Sequence, residues 1–463
     1  MRQDLELSAF TRQRAAQAVR RQDFGLAARR AALARLGAAV RAREAQIIAA
    51  LQADFGKPAA ETVLTEILPV LQEISHANRH LARWMRPRRV RPALAAFGTS
   101  AQLRPEPKGV CLIIAPWNYP LNLALSPLVS CLAAGNSAIV KPSELTPATS
   151  ALIADLVAEV FAPDLVTVIE GDKTVAERLL ALPFDHIFFT GSPEVGRLVM
   201  AAGAKVLASV TLELGGKSPC LIGPGADLER AARWVVFGKF TNAGQTCVAP
   251  DHVFVHSAVA APFKAALRAA IARAYPAGLA SPDLADVISP RHAQRLSGLL
   301  GEALAQGARI VAGGGMRGRR IAPTVIEALT PDCGLDREEI FGPILPLIAY
   351  DDLGAVIARI NARPKPLALY VFERDRALVE RVIAETSSGA VGVNLTLLHS
   401  AHPNLPFGGV NGSGIGATHG EAGFRDFSHD KAVLRNRLSP APLLFAPYGT
   451  RMRRLLGWMQ RLV

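Results

Sequence analysis

Hydrophobic residues recur at helical spacing near the start of the chain and later form short runs separated by helical segments. Apolar positions three and four apart over residues 13–52 and 61–84 predict amphipathic helices. Further on, apolar runs begin at Val110, Ser137, Val166, His186 and Val210, with helical patterns between them. Strands that are apolar throughout predict a parallel sheet covered on both faces. We therefore expect a doubly wound α/β unit of the nucleotide-binding type.

A second α/β alternation begins after Gly216. Helical patterns at residues 228–240, 260–274, 290–306, 352–361 and 378–386 alternate with strand patterns at 252–255, 345–349, 367–372 and 390–393. The segment SHDKAVLRN near the C-terminus is a candidate extra strand without an evident partner. Two α/β units in tandem predict two domains that face one cleft.

Composition and charge narrow the class of protein without choosing a function. The chain has 463 residues, of which 50% are hydrophobic, and a formal net charge of +13. Such a chain can bury a large core, which excludes a disordered protein and a small disulfide scaffold. The positive charge favours anionic partners of any kind. The Arg-rich segment at residues 83–93 is interpreted as a linker or exposed arm, because a nucleic-acid patch would need more interleaved aromatic residues.

The cysteines and the apolar segments bear on cellular location. Five widely spaced cysteines without a CxxC pair predict a reducing compartment, and hence the cytoplasm, and give no metal-binding spacing. The uncharged stretch between Lys108 and Lys141 is interrupted by prolines and is interpreted as buried strand, loop and helix. The basic, amphipathic C-terminal tail could touch an anionic membrane surface, but docking on the protein itself is favoured.

Two glycine-containing segments are candidates for phosphate binding. Gly313, Gly315 and Gly318 match G-x-G-x-x-G, but a strand pattern follows instead of a helix, so we predict a hairpin turn. In FFTGSPEVG, an apolar strand leads through Gly191 and Ser192 into a helix that begins near Pro193. Amides at a helix start attract phosphate oxygens, although many ordinary strand-to-helix turns also contain Gly-Ser.

Three further segments carry candidate catalytic residues. Cys247 ends NAGQTC, a loop that could expose a reactive thiol, although most single cysteines are buried hydrophobes. Glu213 closes an apolar strand in LELGGKSP and is either a strand-end charge or a general base with a raised pKa. Asn118 in APWNYP suits turn chemistry, but its amide is also a suitable oxyanion donor.

Taken together, these segments resemble the aldehyde dehydrogenase superfamily from about Arg12 to Lys431. The matching motifs, in order, are APWNYP, AGNSAIVKPSE, FFTGSPEVG, LELGGKSP, NAGQTC, EEIFGPILP and PFGGVNGSGIG. Within the superfamily, NARPKPLALYVF and HGEAGFRDFSHDK resemble the class 3 branch, which includes fatty and aromatic aldehyde enzymes. The segment HLARWMRPRRV resembles the coniferyl aldehyde dehydrogenase group of that branch.

The resemblance implies a mechanism for the candidate residues. Cys247 would attack the aldehyde carbonyl as a thiolate, and the Asn118 amide with the Cys247 backbone N–H would hold the oxyanion. Hydride would pass to a nicotinamide cofactor, NAD or NADP, and Glu213 would activate water to hydrolyse the resulting thioester. The expected substrate is an aromatic, coniferyl-type aldehyde or one of medium to long chain.

The resemblance also implies the cofactor contacts. Lys141 and Glu144 would contact the adenosine ribose, although they could also be a helix-start charge pair. Gly191 and Ser192 would contact the pyrophosphate. Glu339 and Phe341 would contact the nicotinamide half, with Glu339 also a candidate for proton transfer and Phe341 otherwise a core aromatic. No metal is expected.

The same comparison implies the domain organisation and the partners. A dinucleotide-binding domain would comprise residues 1–92 and 107–215, and a catalytic domain residues 216–415. Residues 93–106 and 416–440 would form a small β oligomerisation arm in a homodimer, followed by the tail at 441–463. Neither nucleic acid nor, in the favoured interpretation, a membrane is an expected partner.

The sequence leaves two alternative functions open and differs from the class 3 pattern at two positions. A coenzyme A-acylating enzyme is disfavoured by Glu213, because a hydrolytic base would destroy the thioester. A non-catalytic basic binding protein would not explain Cys247, Glu213 and Asn118 together. Asn411 stands where class 3 usually has Gly, and Thr418 where it usually has Tyr, so both affect the expected substrate class; the adjacent His419 is given no role.

Overall fold

The structure is a computed structural model that describes residues 3–91, 93, 96–331, 333–446 and 448–460. Its helices are α1 (Gln3–Asp23), α2 (Leu26–Ala42), α3 (Glu44–Phe55), α4 (Ala59–Thr62), α5 (Leu68–Trp84), α6 (Asn122–Ala134), α7 (Pro147–Val160), α8 (Lys173–Leu180), α9 (Pro193–Val206), α10 (Leu228–Phe240), α11 (Ser257–Ala274), α12 (Pro290–Ala305), α13 (Gly334–Arg337), α14 (Leu353–Asn361), α15 (Arg376–Glu385), α16 (Gly420–Asp426) and α17 (Thr450–Met459). A π-helical turn, Val63–Ile67, joins α4 to α5.

The strands are β1 (Arg88–Val90), β2 (Thr99–Pro107), β3 (Val110–Ile114), β4 (Ser137–Lys141), β5 (Val166–Val168), β6 (His186–Gly191), β7 (Ser209–Leu214), β8 (Pro219–Ile222), β9 (His252–His256), β10 (Arg309–Ala312), β11 (Met316–Arg317), β12 (Arg320–Ile321), β13 (Thr324–Glu327), β14 (Ile344–Tyr350), β15 (Ala368–Phe372), β16 (Ala390–Val393), β17 (Gly414–Ile415) and β18 (Ser428–Asn436).

The first sheet has the strand order β17-β7-β6-β3-β4-β5. Strands β3 to β7 are parallel, and only the short β17 runs antiparallel, beside β7. The residues of β3 and β4 are all buried, as the unbroken apolar runs predict. The predicted doubly wound parallel sheet is confirmed, and the carboxyl ends of its strands share one edge.

The second sheet has the order β10-β13-β14-β9-β8-β15-β16 and is parallel except at β10. It matches the second predicted alternation, with helix boundaries within a few residues of those expected. The glycine-rich segment after β10 leads into the β11–β12 hairpin, so the predicted hairpin turn is confirmed.

A third sheet has the order β1-β2-β18, and the segment SHDKAVLRN forms its strand β18. β18 lies antiparallel to β2 over nine residue pairs, from Ser428–Pro107 to Asn436–Thr99. The Arg-rich segment, interpreted from sequence as a linker or arm, instead ends α5 at the buried Trp84 and contributes β1. Within the proposed arm and tail, residues 94, 95, 447 and 461–463 lie outside the described residues.

Candidate active site

The segment before Cys247 is a turn with unusual backbone geometry. Helix α10 ends at Phe240, and Asn242, Ala243 and Gly244 follow with φ of 57°, 53° and 71°. A Cβ on Gly244 would lie 2.4 Å from the Gly342 carbonyl oxygen, so only glycine fits there. Left-handed residues other than glycine carry strain and are kept only where contacts fix them. The turn brings Cys247 to the surface of a cavity, where it is partly exposed, whereas the other four cysteines, all within the described residues, are buried.

Side-chain hydrogen bonds hold this turn. The Asn242 backbone N–H donates to Glu61 Oε2 at 2.8 Å, and its Nδ2 donates to the Asn118 carbonyl oxygen at 2.9 Å. Gln245 Oε1 accepts from the Ile288 N–H at 2.8 Å, and its Nε2 donates to the Asp286 carbonyl oxygen at 3.1 Å. The turn that carries Cys247 is therefore held by residues that precede it in the chain, Glu61 and Asn118, and by residues that follow it, Asp286 and Ile288.

Asn118 lies against the same turn. It follows β3, its side chain is 3% exposed, and its Nδ2 donates to the Gln245 carbonyl oxygen at 3.0 Å. A side-chain amide has two N–H groups, so one remains for another acceptor. The structure thus brings Asn118 to the Cys247 turn, as predicted.

A buried ion pair supports the residue next to the thiol. The Tyr119 hydroxyl lies 2.5 Å from Thr246 Oγ1, and the Lys57 ammonium lies 4.2 Å from the centre of the Tyr119 ring. Lys57 Nζ is 2.7 Å from Glu66 Oε1, and both side chains are fully buried. Glu66 belongs to the π-helical turn, a feature that is frequent at functional sites.

Glu213 has a contrasting environment. It lies near the end of β7, beside Thr190 of β6, and is 4% exposed. Neither carboxylate oxygen has a hydrogen-bond partner within the described residues. Burial, with a smaller contribution from nearby Asp426, raises the pKa of Glu213 well above its usual range. Such a carboxyl is a candidate general base.

Cys247 and Glu213 line one cavity. Its other walls are mostly apolar, with a few polar groups: Leu123, Ser126, Pro127, Phe188, Thr190, Leu214, Phe407, Thr418 and His419. Burial, together with the nearby Glu213 and Glu339 carboxyls, raises the pKa of the Cys247 thiol to about 12. The thiol is therefore protonated near neutral pH in this arrangement, and a base or a positive charge must promote its ionisation.

The two departures noted in the sequence have different locations. Thr418 lines the cavity with Cys247, and its Oγ1 is buried. Asn411 adopts φ of 55°, and its Oδ1 accepts from Lys365 Nζ at 2.9 Å in a more exposed turn. His419 also lines the cavity, stacks on Phe407 at 5.3 Å between ring centres, and has its pKa lowered to about 4 by burial.

Glu339 sits against the glycine pair that follows β7. Its carboxylate accepts a hydrogen bond from the Gly216 N–H, and a Cβ on Gly215 would lie 2.2 Å from Glu339 Oε2. Burial raises the pKa of Glu339 to about 8. Lys217 Nζ donates to the Glu338 carbonyl oxygen at 2.7 Å and so ties the two segments together.

Phe341 adopts φ of 48° at the end of the same segment. Its ring meets that of Trp117 edge to face, with 5.3 Å between the centres. Its carbonyl oxygen lies 2.9 Å from His292 Nε2. Trp117 immediately precedes Asn118, so Phe341 lies next to the Asn118 segment rather than in a remote core.

The predicted phosphate and ribose contacts lie at the carboxyl ends of β6 and β4, two parallel strands separated by β3. Lys141 ends β4, and its buried Nζ lies 3.2 Å from Glu144 Oε2. Gly191 ends β6, and Ser192 is the N-cap of α9, its Oγ accepting from the Val195 N–H at 3.3 Å. These residues do not line the Cys247 cavity; they lie along the sheet edge beside it.

Sequence reasoning missed several residues of this region. Glu61, Gln245, Asp286 and Asp426 were not singled out, and His419 was given no role. Gln245 lies inside the quoted motif NAGQTC, where a buried amide next to a candidate thiol was an available signal. Glu61 and Asp426 reach the site from the two ends of the chain, and no local pattern indicates that.

No helix within the described residues is long and apolar enough to cross a membrane.

The sequence model of the aldehyde dehydrogenase family matches residues 7–433. A protein named "Probable coniferyl aldehyde dehydrogenase" from Caulobacter vibrioides is 42% identical over 428 residues, covering 89% of this chain and 88% of that protein. Aldehyde dehydrogenase family 3 member A2 from Mus musculus is 42% identical over 398 residues, covering 85% and 81%. The resemblance to the class 3 and coniferyl groups is thus confirmed.

Solved structures agree with these relatives. The substrate-bound state of Staphylococcus aureus AldH superposes with a TM-score of 0.93 at 39% identity and covers 98% of this chain and 99% of its own. An NAD⁺ complex of an aldehyde dehydrogenase from Bacillus cereus superposes with a TM-score of 0.85 at 26% identity, covering 94% and 89%. The chain belongs to the aldehyde dehydrogenase family, whose members are oxidoreductases that act on aldehydes.

Proposed function

We propose that the protein oxidises an aldehyde to its carboxylic acid with NAD or NADP, through a thioester on Cys247. The observation that carries this proposal is the cavity that Cys247 shares with Glu213, a buried carboxylate without a partner in the described chain. One wall supplies a nucleophile and the other a base, which are the two groups that thioester formation and hydrolysis require.

Cys247 acts first. The thiol proton passes to the Glu213 carboxylate, which lines the same cavity, and from there to solvent. The Sγ thiolate then adds to the aldehyde carbon, and the oxyanion that forms is held by the free N–H of the Asn118 amide and by the Cys247 backbone N–H. Asn118 is suited to this because its other N–H is anchored on the Gln245 carbonyl oxygen. A fixed donor needs no reorganisation when charge develops.

The residues along the sheet edge fit a dinucleotide. A Cβ on Gly191 would lie 2.5 Å from the Phe189 ring, so the bare backbone lies at the start of α9, where helix N–H groups attract phosphate. Lys141 would supply a buried ammonium for the ribose, together with Glu144, and Glu339 and Phe341 would contact the nicotinamide half. The chemistry that a bound cofactor would supply is that of a hydride acceptor for the aldehyde carbon.

Glu213 completes the reaction. It takes a proton from water, whose oxygen adds to the thioester carbon, and the carbon–sulfur bond breaks to release the acid. The apolar walls around the cavity suit an aromatic or medium to long aldehyde, in keeping with the coniferyl aldehyde named for the Caulobacter vibrioides relative. Glu213 argues for water rather than coenzyme A as the acceptor.

The remaining expectations concern assembly. We propose a cytoplasmic homodimer that associates through the sheet β1-β2-β18, on which Leu434 is 62% exposed. In the tail, Met452 is 7% exposed whereas Trp458 is 60% exposed, so α17 docks partly on the chain and presents an aromatic ring outward. Light scattering measures the oligomeric state, and flotation with anionic vesicles tests membrane contact.

The function is tested with the purified protein, NAD⁺ or NADP⁺, and a panel of aromatic and aliphatic aldehydes. We expect absorbance of the reduced cofactor at 340 nm and one equivalent of acid, without added coenzyme A. Cys247→Ala removes the nucleophile and should abolish turnover. Cys333→Ala, at a fully buried cysteine elsewhere, is the matched control and should remain active.

Turnover that persists in Cys247→Ala would refute the role of the thiol. Strict dependence on coenzyme A would instead assign the acylating reaction.

A further inference from the structure

Three unpartnered polar side chains meet in the cavity that holds Cys247. Thr190 Oγ1, Thr418 Oγ1 and both oxygens of Glu213 are buried and have no hydrogen-bond partner within the described residues, and all three residues line this cavity. A buried polar group without a partner costs free energy, so such a cluster calls for a ligand that satisfies it.

The backbone places these side chains together. Thr190 and Glu213 are register partners on the parallel strands β6 and β7, so their side chains point to the same face. Thr418 comes from a distant part of the chain, where its N–H donates to the Phe407 carbonyl oxygen at 2.7 Å and the Phe407 N–H donates to the Thr418 carbonyl oxygen at 3.1 Å. This two-way pairing fixes the Thr418 backbone on the cavity wall.

The chemistry of the cluster selects the ligand. Two hydroxyls can each donate or accept, and a carboxylate accepts, which matches the bonding capacity of one water molecule with two to four polar partners. The other groups on the cavity wall have their own partners or are apolar. The Ser126 hydroxyl donates to Asn122 Oδ1 at 2.7 Å, the His419 ring stacks on Phe407, and Leu123 and Pro127 are apolar.

We propose that Thr418 is a positioning residue for hydrolysis: its hydroxyl, with that of Thr190, orients the water that Glu213 deprotonates. This inference rests on the proposed function. The water oxygen bonds to the thioester carbon, Glu213 takes the proton, and the carbon–sulfur bond breaks with its electron pair on Cys247 Sγ. The proton then passes to sulfur or to solvent, so the step needs no further oxidant or reductant.

The place of a threonine here sets this chain apart from the class 3 pattern, which usually has tyrosine before the histidine. Thr418 Oγ1 and the Glu213 oxygens line one cavity but do not bond to each other, so a small molecule can bridge them.

The test compares Thr418→Val, which removes the hydroxyl at nearly constant shape, with Thr418→Ser, which keeps it. For Thr418→Val we expect kcat to fall about tenfold, since one hydrogen bond to the reacting water is lost. The first turnover should keep its rate, so reduced cofactor should appear in a burst of about one equivalent per active site. Mass spectrometry of the quenched enzyme should find the acyl group on the Cys247 peptide. Thr418→Ser should restore turnover to within about twofold.

Thr167→Val is the matched control, because Thr167 lies on β5, away from the residues that line the cavity, and its hydroxyl donates to the Pro163 carbonyl oxygen. It should change neither kcat nor the burst. Glu213→Gln separates the two proposals, since it should accumulate acyl enzyme whether or not Thr418 takes part.

Unchanged kcat without a burst in Thr418→Val would overturn the role of Thr418 while leaving the proposed function in place. So would an equal fall in the burst rate and kcat, which would place Thr418 in acylation or in folding. Absence of acyl enzyme in Glu213→Gln would refute the proposed function itself.

Discussion

The two walls of the cavity are built in opposite ways. On the Cys247 wall, Asn118, Asn242 and Gln245 form hydrogen bonds with one another and with backbone groups on other elements. On the facing wall, the side-chain oxygens of Glu213 and Thr418 have no hydrogen-bond partner in the described part of the chain. Both walls are buried, so burial alone does not explain the difference.

The difference follows from what each wall must do. A nucleophile and an oxyanion donor work best when held in one place, and Asn118 and Gln245 form hydrogen bonds that fix the turn carrying Cys247, the proposed nucleophile. A base must accept a proton from a molecule that arrives and departs, so its oxygens stay available. Burying Glu213 without hydrogen-bond partners costs free energy, and we attribute this cost to its proposed role as a base.

The largest loss of activity is expected when the proposed oxyanion donor, Asn118, is removed from the wall that carries Cys247. Asn118→Ala removes the amide proposed to hold the oxyanion, and loss of one such donor lowers kcat by about a hundredfold or more. KM should change far less, because the donor acts on charge that develops in the transition state. Steady-state kinetics with a good aldehyde substrate measures both quantities.

Asn361→Ala is the control for this prediction, since Asn361 lies at the end of α14 and bonds only to the Glu385 carbonyl oxygen. It should leave kcat unchanged. If Asn118→Ala raises KM and spares kcat, the amide binds substrate and does not stabilise the oxyanion.

A smaller effect is expected when the charge of Asp426, near Glu213, is removed. Glu213 acts as a base only when ionised, and its pKa is raised by burial and by Asp426. Hydrolysis should therefore be lost as the pH falls through this raised pKa, well above the range of an ordinary carboxyl. Asp426→Asn removes the like charge and should move this acidic limb of the pH–kcat profile to lower pH.

The other titratable groups of the cavity do not produce this limb. Burial lowers the pKa of His419 to about 4 and raises that of Cys247 to about 12, so neither changes charge over the intervening range. Glu339, which does not line the cavity, has its pKa raised to about 8 by burial, but Asp426 is not among the charges that act on it. Asp426→Asn should therefore move the limb that belongs to Glu213 and leave one that belongs to Glu339 in place. A limb that stays in place or moves to higher pH in Asp426→Asn would contradict the assignment to Glu213.

The smallest effect is expected when the contact between the Tyr119 hydroxyl and Thr246, the residue before Cys247, is removed. Tyr119→Phe removes the hydroxyl next to Thr246 Oγ1 but keeps the ring under the Lys57 ammonium. Losing the partner of a buried hydroxyl costs about 1–3 kcal/mol, so Tm should fall by a few degrees and kcat by less than about tenfold. Thermal unfolding and steady-state kinetics measure these changes.

Tyr448→Phe, at a tyrosine that is 68% exposed, should alter neither quantity. A hundredfold loss of kcat with unchanged Tm in Tyr119→Phe would instead place the hydroxyl in the chemistry.

Local sequence was enough to predict the parts of the site that lie on single elements. The apolar runs ending at Glu213 and Gly191 predict buried strands, and strand ends are where parallel sheets present functional groups. The family motifs supplied the proposed roles of Cys247 and Asn118, which periodicity alone left ambiguous. The strand β18 was also foreseen, but its pairing with β2 was not, because it joins segments more than three hundred residues apart.

The remaining parts depend on contacts across the chain. Glu61 reaches the Asn242 N–H from 181 residues away, and nothing in the helical pattern around Glu61 marks it as a partner. The sequence marked Thr418 only as a difference from the tyrosine usual in class 3. Its place in the cavity follows from its backbone pairing with Phe407. Tertiary packing, and not local propensity, brings these groups together.

The left-handed turn before Cys247 also has a consequence for biosynthesis. Glu61 and Asn118 leave the ribosome before the turn does, but Gln245 is held by Asp286 and Ile288, which are made about forty residues later. Until then the turn lacks these two supports, and the Phe407 and Thr418 wall of the cavity is made later still. The order of synthesis therefore makes the nucleophile's turn one of the last parts of the site to reach its final form.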